Sequence, residues 1–286
     1  MKQKLIYILG AGRSGTTILD IVLGNSTDAI SLGEINRFFK REGIAPKREA
    51  PNKVYAFWYK IKKSFDKDLS QEYKNLKSLC DRNEYHTGFP KIYLVGAERS
   101  YQQLLSKQYG CIAKHTKDKK VLVESSKYPA RALNVSSILG DKMDVGYVYL
   151  KKDPVKVVSS FGKKGLEQPA KSFLASNAYY LIVNILCYLS VWKLRNRGHK
   201  VVVLKYEDLI VKPIDVLDHI GNELGMCMQQ IQEKIRQDVA LDTGFLFDGN
   251  RIRLKENIVL QKNIKKVDKK GLSYYFTRGF NYLIYR

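Results

Sequence analysis

The sequence has 286 residues, 44% of them apolar, and carries 50 Lys and Arg against 28 Asp and Glu, a net charge of +22. That apolar fraction excludes intrinsic disorder, and four cysteines without a CxxC pair exclude a disulfide-stapled mini-protein and argue against zinc or redox use. The charge calls for an anionic partner: a phosphorylated cofactor, an acidic polymer, a nucleic acid or an anionic membrane surface.

Lys4–Leu9 is an apolar run that stops at Gly10 and predicts a buried strand. Thr16–Leu23 has helical spacing, and Ala29–Leu32 predicts a second short strand. Residues 40–90 are rich in Lys and Tyr with patchy helical periodicity, and predict an inserted helical region or lid within the same domain. Ile92–Gly96 reads as a strand and the stretch to about Gln108 as a helix. Val121–Glu124 and Val145–Leu150 predict two more buried strands. Asp153 reads as the cap of a helix that opens with Pro154 and runs to Phe161. A long helix is expected over 172–197. Its most apolar part, Ala178–Trp192, is short of the roughly 20 residues of a membrane span, so a buried helix is expected, with an in-plane membrane helix as the alternative. Val201–Leu204 is the last strong strand.

Short apolar strands alternating with helices predict one α/β domain over residues 1–286, with a central parallel sheet flanked by helices. Residues 251–286 form a basic C-terminal segment, with ten Lys and Arg against Glu256 and Asp268. No signal-peptide core or membrane anchor is read, so the expected location is cytoplasmic, with peripheral contact at the inner membrane face compatible with the charge. No nucleic-acid-binding motif is read, so no nucleic-acid partner is expected.

The strongest local signal is Gly10-Ala-Gly-Arg-Ser-Gly-Thr-Thr17, between a strand and a helix. Backbone amides and a helix N-terminus there face an anion. One reading is dinucleotide binding: Gly10, Gly12 and Gly15 match G-x-G-x-x-G, and Glu34 lies where a ribose-binding acid belongs, as in an NAD-dependent oxidoreductase. The other is a phosphate loop with Walker A spacing in which Thr16-Thr17 replaces the usual Lys-Ser/Thr and Arg13 supplies the cation. A basic protein that binds nucleic acid or membrane without catalysis is a third alternative.

Arg13-Ser14-Gly15-Thr16-Thr17 resembles the phosphosulfate loop of PAPS-dependent sulfotransferases of the bacterial carbohydrate type. Glu124-Ser125-Ser126-Lys127 resembles their D-S-S-K segment. Lys152 and Ser160 have the spacing of their 3′-phosphate segment, with Lys where Arg is usual. Tyr206-Glu207-Asp208-Leu209 resembles their Y-E-D-L, and Gly249-Asn250-x-x-Arg253 their G-N-x-x-R. The resemblance implies a P-loop-like fold and sulfuryl transfer from PAPS (3′-phosphoadenosine-5′-phosphosulfate), without a metal, to a hydroxyl on a glycan or lipid-linked acceptor. It implies Gly12 and Arg13 to Thr17 around the 5′-phosphate, Lys152 and Ser160 at the 3′-phosphate, and Tyr206, Asn250 and Arg253 at the nucleotide. Lys127 becomes the cation on the sulfuryl side, beside Arg13.

Such a transfer needs cations where the leaving phosphate gains charge and a base for the acceptor hydroxyl. Glu34 is the candidate base, its alternative being an ion pair with Arg37. Trp58 and its aromatic neighbours read either as an acceptor groove or as local core. Tyr206 is open between nucleotide contact and core. The four histidines read as surface or packing residues.

Overall fold

The computed structural model describes residues 2–46, 53–67, 71–163, 170–263 and 271–286. Five parallel strands form the central sheet: β1 (Lys4–Leu9), β2 (Ala29–Gly33), β3 (Val121–Lys127), β4 (Asp144–Lys151) and β5 (Val201–Lys205), in the order β2-β3-β1-β4-β5. Their continuous apolar runs reflect burial on both faces. Alternation along β1 divides the core into two layers. Leu5, Tyr7 and Leu9 join one with the Pro129–Leu139 and Phe173–Asn196 helices, whereas Ile6 and Ile8 join the other with the Thr16–Gly24 and Pro213–Leu224 helices.

The strand order bears on the glycine turn. In a dinucleotide fold β1 and β2 are neighbours, which brings an acid after β2 beside the turn. Here β3 lies between them, so Glu34 meets the end of β3 instead, and the oxidoreductase reading loses its geometry.

Two sequence expectations need correction. The run Ile92–Gly96 is not a strand: Phe89–Leu94 is a helix with Pro90 in its first turn, and its buried residues Phe89 and Ile92 are three apart. A five-residue apolar run cannot display a helical period against a strand reading. β3 also runs past Glu124 to Lys127, because Ser125 and Ser126 are buried and remain in the ladder through a register shift opposite Tyr7 and Leu9.

Between residues 40 and 90 the described elements include the Lys53–Asp66 and Tyr73–Glu84 helices. Trp58 is core: its Nε1 donates to the Phe245 carbonyl at 2.6 Å, and its ring packs against Phe38 and Phe247. Tyr55 and Tyr59 stack on each other at the surface. The long helix spans Phe173–Asn196. It is long and apolar enough to cross a membrane, but Tyr180, Val183, Cys187 and Leu194 pack into the core. Two short strands, β6 (Leu241–Asp242) and β7 (Asn257–Ile258), pair antiparallel and pin the ends of the loop between them. Strands of two residues leave no periodicity to read. The Leu272–Phe280 and Tyr282–Tyr285 helices pack on the long helix.

Candidate active site

The turn after β1 is shaped for an anion. Arg13 has φ 70° and Gly15 φ 95°, both left-handed, and Gly15 leads into the Thr16–Gly24 helix, whose N-terminus no side chain caps. Successive amides in such a turn, together with the helix start, form an anion-binding concavity. Ser14 shapes the turn from within: its N–H and hydroxyl both donate to the Ala11 carbonyl, at 3.3 and 2.5 Å. Its amide is therefore spent inside the loop rather than offered to a ligand. The Gly12 N–H donates to the Tyr179 hydroxyl at 3.2 Å.

Gly15 cannot be replaced. A Cβ there would lie 2.3 Å from the Tyr206 ring, on a backbone that L residues rarely adopt. Gly15→Ala is expected to displace Tyr206 or the turn. Calorimetric titration with an adenosine phosphosulfate or bisphosphate should show at least about tenfold weaker binding for an anion cradle moved by this much.

Around the turn lies a cavity of about 730 Å³. It is lined by Gly12, Arg13, Gly15, Thr16, Thr17 and Glu34, then by Lys127, Lys152, Ser160, Tyr206, Asn250 and Arg253. Of the site residues read from the sequence, only Ser14 is set back from it. A second cavity of about 950 Å³ shares Ile18, Lys152, Ser160, Tyr206 and Ile252 with the first, and adds Lys156, Lys163 and Lys255. The residues come from six segments, gathered at the carboxyl edge of the sheet, where open α/β folds bind ligands.

Arg13 has its Nε buried without a hydrogen-bond partner among the described residues, and its guanidinium sits 5.8 Å from the Phe161 ring centroid. Lys127, at the end of β3, is also left-handed, with φ 74°. Its Nζ is paired with Glu34 Oε1. Glu34 Oε2 in turn meets Arg37 Nε at 3.1 Å, so the buried carboxylate is held between two cations. Lys152 Nζ lies 4.0 Å over the Tyr206 ring, and burial lowers its pKa from the ordinary lysine value. Tyr206 thus packs against both Gly15 and Lys152 at the cavity wall.

The loop 243–256 closes the far side. Asn250 caps the short 3-10 helix Arg251–Leu254, its side chain accepting from the Ile252 N–H at 3.2 Å, while its own N–H donates to Thr17 Oγ1 at 3.3 Å. Arg253 is buried, with Nη1 donating to the Gly249 carbonyl at 2.6 Å and Nη2 3.4 Å from Asp248. It anchors the loop as well as lining the cavity.

Asp248 was not singled out from the sequence, and neither was Arg41. Asp248 Oδ2 meets Arg41 Nε at 2.7 Å and Arg37 Nη1 at 3.4 Å. Burial pushes its carboxyl up, but Arg37, Arg41, the Gly249 amide and Arg253 together outweigh this and hold it below the ordinary aspartate value. The network ties the loop to the residues after β2. Partners more than 200 positions apart leave no local pattern; the one available signal is that Asp248 immediately precedes the glycine of the G-N-x-x-R segment. Of the histidines, His86 packs on Tyr128, with its pKa lowered to about 4 by burial, and His199 bonds Ser136. None lines the 730 Å³ cavity.

No family model matches the chain, and no curated protein matches it. Solved structures do. The sulfotransferase domain from the curacin biosynthetic pathway superposes with a TM-score of 0.52 and 17% identity, over 91% of this chain and 85% of that one. A sulfotransferase from Alicyclobacillus acidocaldarius aligns over 98% of this chain and 95% of its own at 15% identity, with a TM-score of 0.44. The fold assignment rests on the first. The chain has the sulfotransferase fold.

Within the sulfotransferase fold one further group steadies the site. Asp20, fully buried on the Thr16–Gly24 helix, accepts from the Gly33 N–H at 3.0 Å, one residue before Glu34. Burial pushes its pKa up to about 8, against the pull of the Gly33 amide. A folded-state pKa raised above the unfolded value gives stability that is full below the unfolded pKa, near 4, and lost as pH rises through about 8. Asp20→Asn keeps an acceptor for Gly33 and removes the titration. Melting temperatures between pH 4 and 9 should then fall less steeply for the variant, which should be the more stable protein above pH 8.

Proposed function

We propose that the protein is a sulfotransferase that moves a sulfuryl group from PAPS to an acceptor hydroxyl. The observation that carries this reading is the convergence of Arg13, Lys127 and Lys152, three cations from three separate segments, on one cavity beside an uncapped helix N-terminus. Two joined cavities of this size suit a donor with a charged group at each end. The amides of Gly15 to Thr17 and Arg13 hold the 5′-phosphate, while Lys152 and Ser160 hold the 3′-phosphate.

In the transfer, the sulfur–oxygen bond to the donor phosphate breaks as a bond to the acceptor oxygen forms. Arg13 stabilises the charge that builds on the departing phosphate. Lys127, held at rest by Glu34, turns to the sulfuryl oxygens and leaves Glu34 Oε1 to take the acceptor proton. Arg37 keeps that carboxylate in place. The acceptor is a hydroxyl on a glycan or lipid-linked molecule, reached from the cytoplasm.

The test is transfer of label from sulfur-labelled PAPS to total lipid and polysaccharide fractions, with donor binding read separately by thermal shift. A protein that PAPS does not stabilise against heat would falsify the reading. Glu34→Gln, nearly isosteric, is expected to keep donor binding and lose about a hundredfold or more in single-turnover rate, the effect of removing a general base.

A further inference from the structure

One side of the Phe173–Asn196 helix is packed into the core. The other presents Leu174, Ala178, Ile182, Ile185, Leu189 and Trp192 to solvent. Their three- and four-residue spacing makes a single stripe roughly 27 Å long at 1.5 Å per residue. The stripe does not stop at the helix. At its start the Phe173 ring lies 5.6 Å from Phe276, which stacks on Phe280, in helices where Leu272 and Leu283 are 89% and 84% exposed. At its end Lys193 donates to the Tyr93 carbonyl, beside Leu94 and Val95, which are 78% and 83% exposed. A continuous apolar surface of this extent on a basic protein marks an interaction site.

Its charge says what it meets. Residues 85–97, 170–206 and 271–286, which supply the face, contain no Asp or Glu, while Lys171, Arg195 and Arg286 lie among them and Lys91 pairs with Glu98 at the border. A second copy docking on the same face would set cations against cations. A surface of anionic headgroups over acyl chains satisfies both the cations and the apolar stripe. We infer that this face seats the protein in the plane of an anionic membrane, with Trp192 and the stripe entering the headgroup boundary. Spanning is excluded by the buried side of the same helix. The inference is independent of the proposed reaction, since none of the stripe residues lines either cavity.

The full chain is mixed with phosphatidylcholine vesicles, with and without phosphatidylglycerol, and floated on a density gradient. Binding should be at least about tenfold stronger on the anionic vesicles and should weaken with salt. Trp58 is buried, so a blue shift of tryptophan emission on binding reports Trp192. Ile185→Glu/Leu189→Glu, at two solvent-facing positions, should abolish both signals while circular dichroism shows an unchanged melt. Failure to bind anionic vesicles, or equal binding by the doubly substituted protein with the emission unshifted, overturns the proposal. So does a wild-type dimer that the double substitution converts to monomer without any vesicle binding, which would assign the face to self-association.

Discussion

Arg13→Ala is expected to lower the single-turnover rate of sulfuryl transfer by about a thousandfold or more while leaving the fold intact. The size follows from where the residue sits. Its Nε is buried without a hydrogen-bond partner among the described residues, on a backbone held at φ 70°. A desolvated donor costs about 1–3 kcal/mol and a left-handed non-glycine residue about as much again, so the free protein is strained to keep this side chain in the turn. Removing it relieves the unpaired donor, and the melting temperature should hold or rise slightly. In the proposed transfer the same donor would meet the oxygen on which charge develops, where a preorganised cation contributes most. Arg13→Lys keeps the charge but loses the fork, and should recover only part of the rate. A rate for Arg13→Ala within tenfold of wild type would assign the orphaned donor to the turn alone and remove Arg13 from the chemistry.

The parts of this site that were legible in the sequence are those encoded locally. The glycine turn announces itself because strand, glycines and helix are consecutive, and Asp153 caps Pro154–Phe161 as its position before proline implies. Lys152 and Ser160 are paired by the resemblance, and both sit on the short stretch from the end of β4 through the Pro154–Phe161 helix. What stayed hidden is encoded across distance. Lys127 meets Glu34 only because β3 lies beside β2, an adjacency that neither strand reports by itself. The Asp248 network joins the loop 243–256 to the residues after β2 through buried charge, and the sequence shows only scattered arginines. The helix at Phe89–Leu94 was misread for a different reason: two buried positions are too few to establish a period.

Arg131→Leu is expected to cost about 3–5 kcal/mol of stability, the usual result of stripping one partner from a buried ionic cluster. Arg131 is fully buried. Its Nε donates to Glu124 at 2.7 Å, Nη1 to Glu84 at 2.6 Å and Nη2 to Gln108 at 3.2 Å. Glu84 also accepts from the Tyr101 hydroxyl at 2.7 Å, and Glu124 from Tyr109. Burial pushes both carboxyls above the ordinary glutamate value, and the Arg131 charge opposes that rise. Without the guanidinium both pKa values climb further, so the stability they carry is lost as pH rises through the folded values. The cost of Arg131→Leu should therefore be larger at pH 8 than at pH 5 in urea melts. Neutralising the acids supplies the control: Glu84→Gln/Glu124→Gln in the Arg131→Leu background should recover much of the loss and flatten the pH dependence, because the buried groups no longer need a counter-charge. Glu124 lies on the strand that ends at Lys127, so a partly stable Arg131→Leu protein should also lose transfer rate through a displaced Lys127–Glu34 pair. A cost below about 1 kcal/mol, within the range of an ordinary surface change, would mean that the cluster is neutral as it stands and that hydrogen bonds, not charge, seat β3 against the Tyr73–Glu84 and Pro129–Leu139 helices.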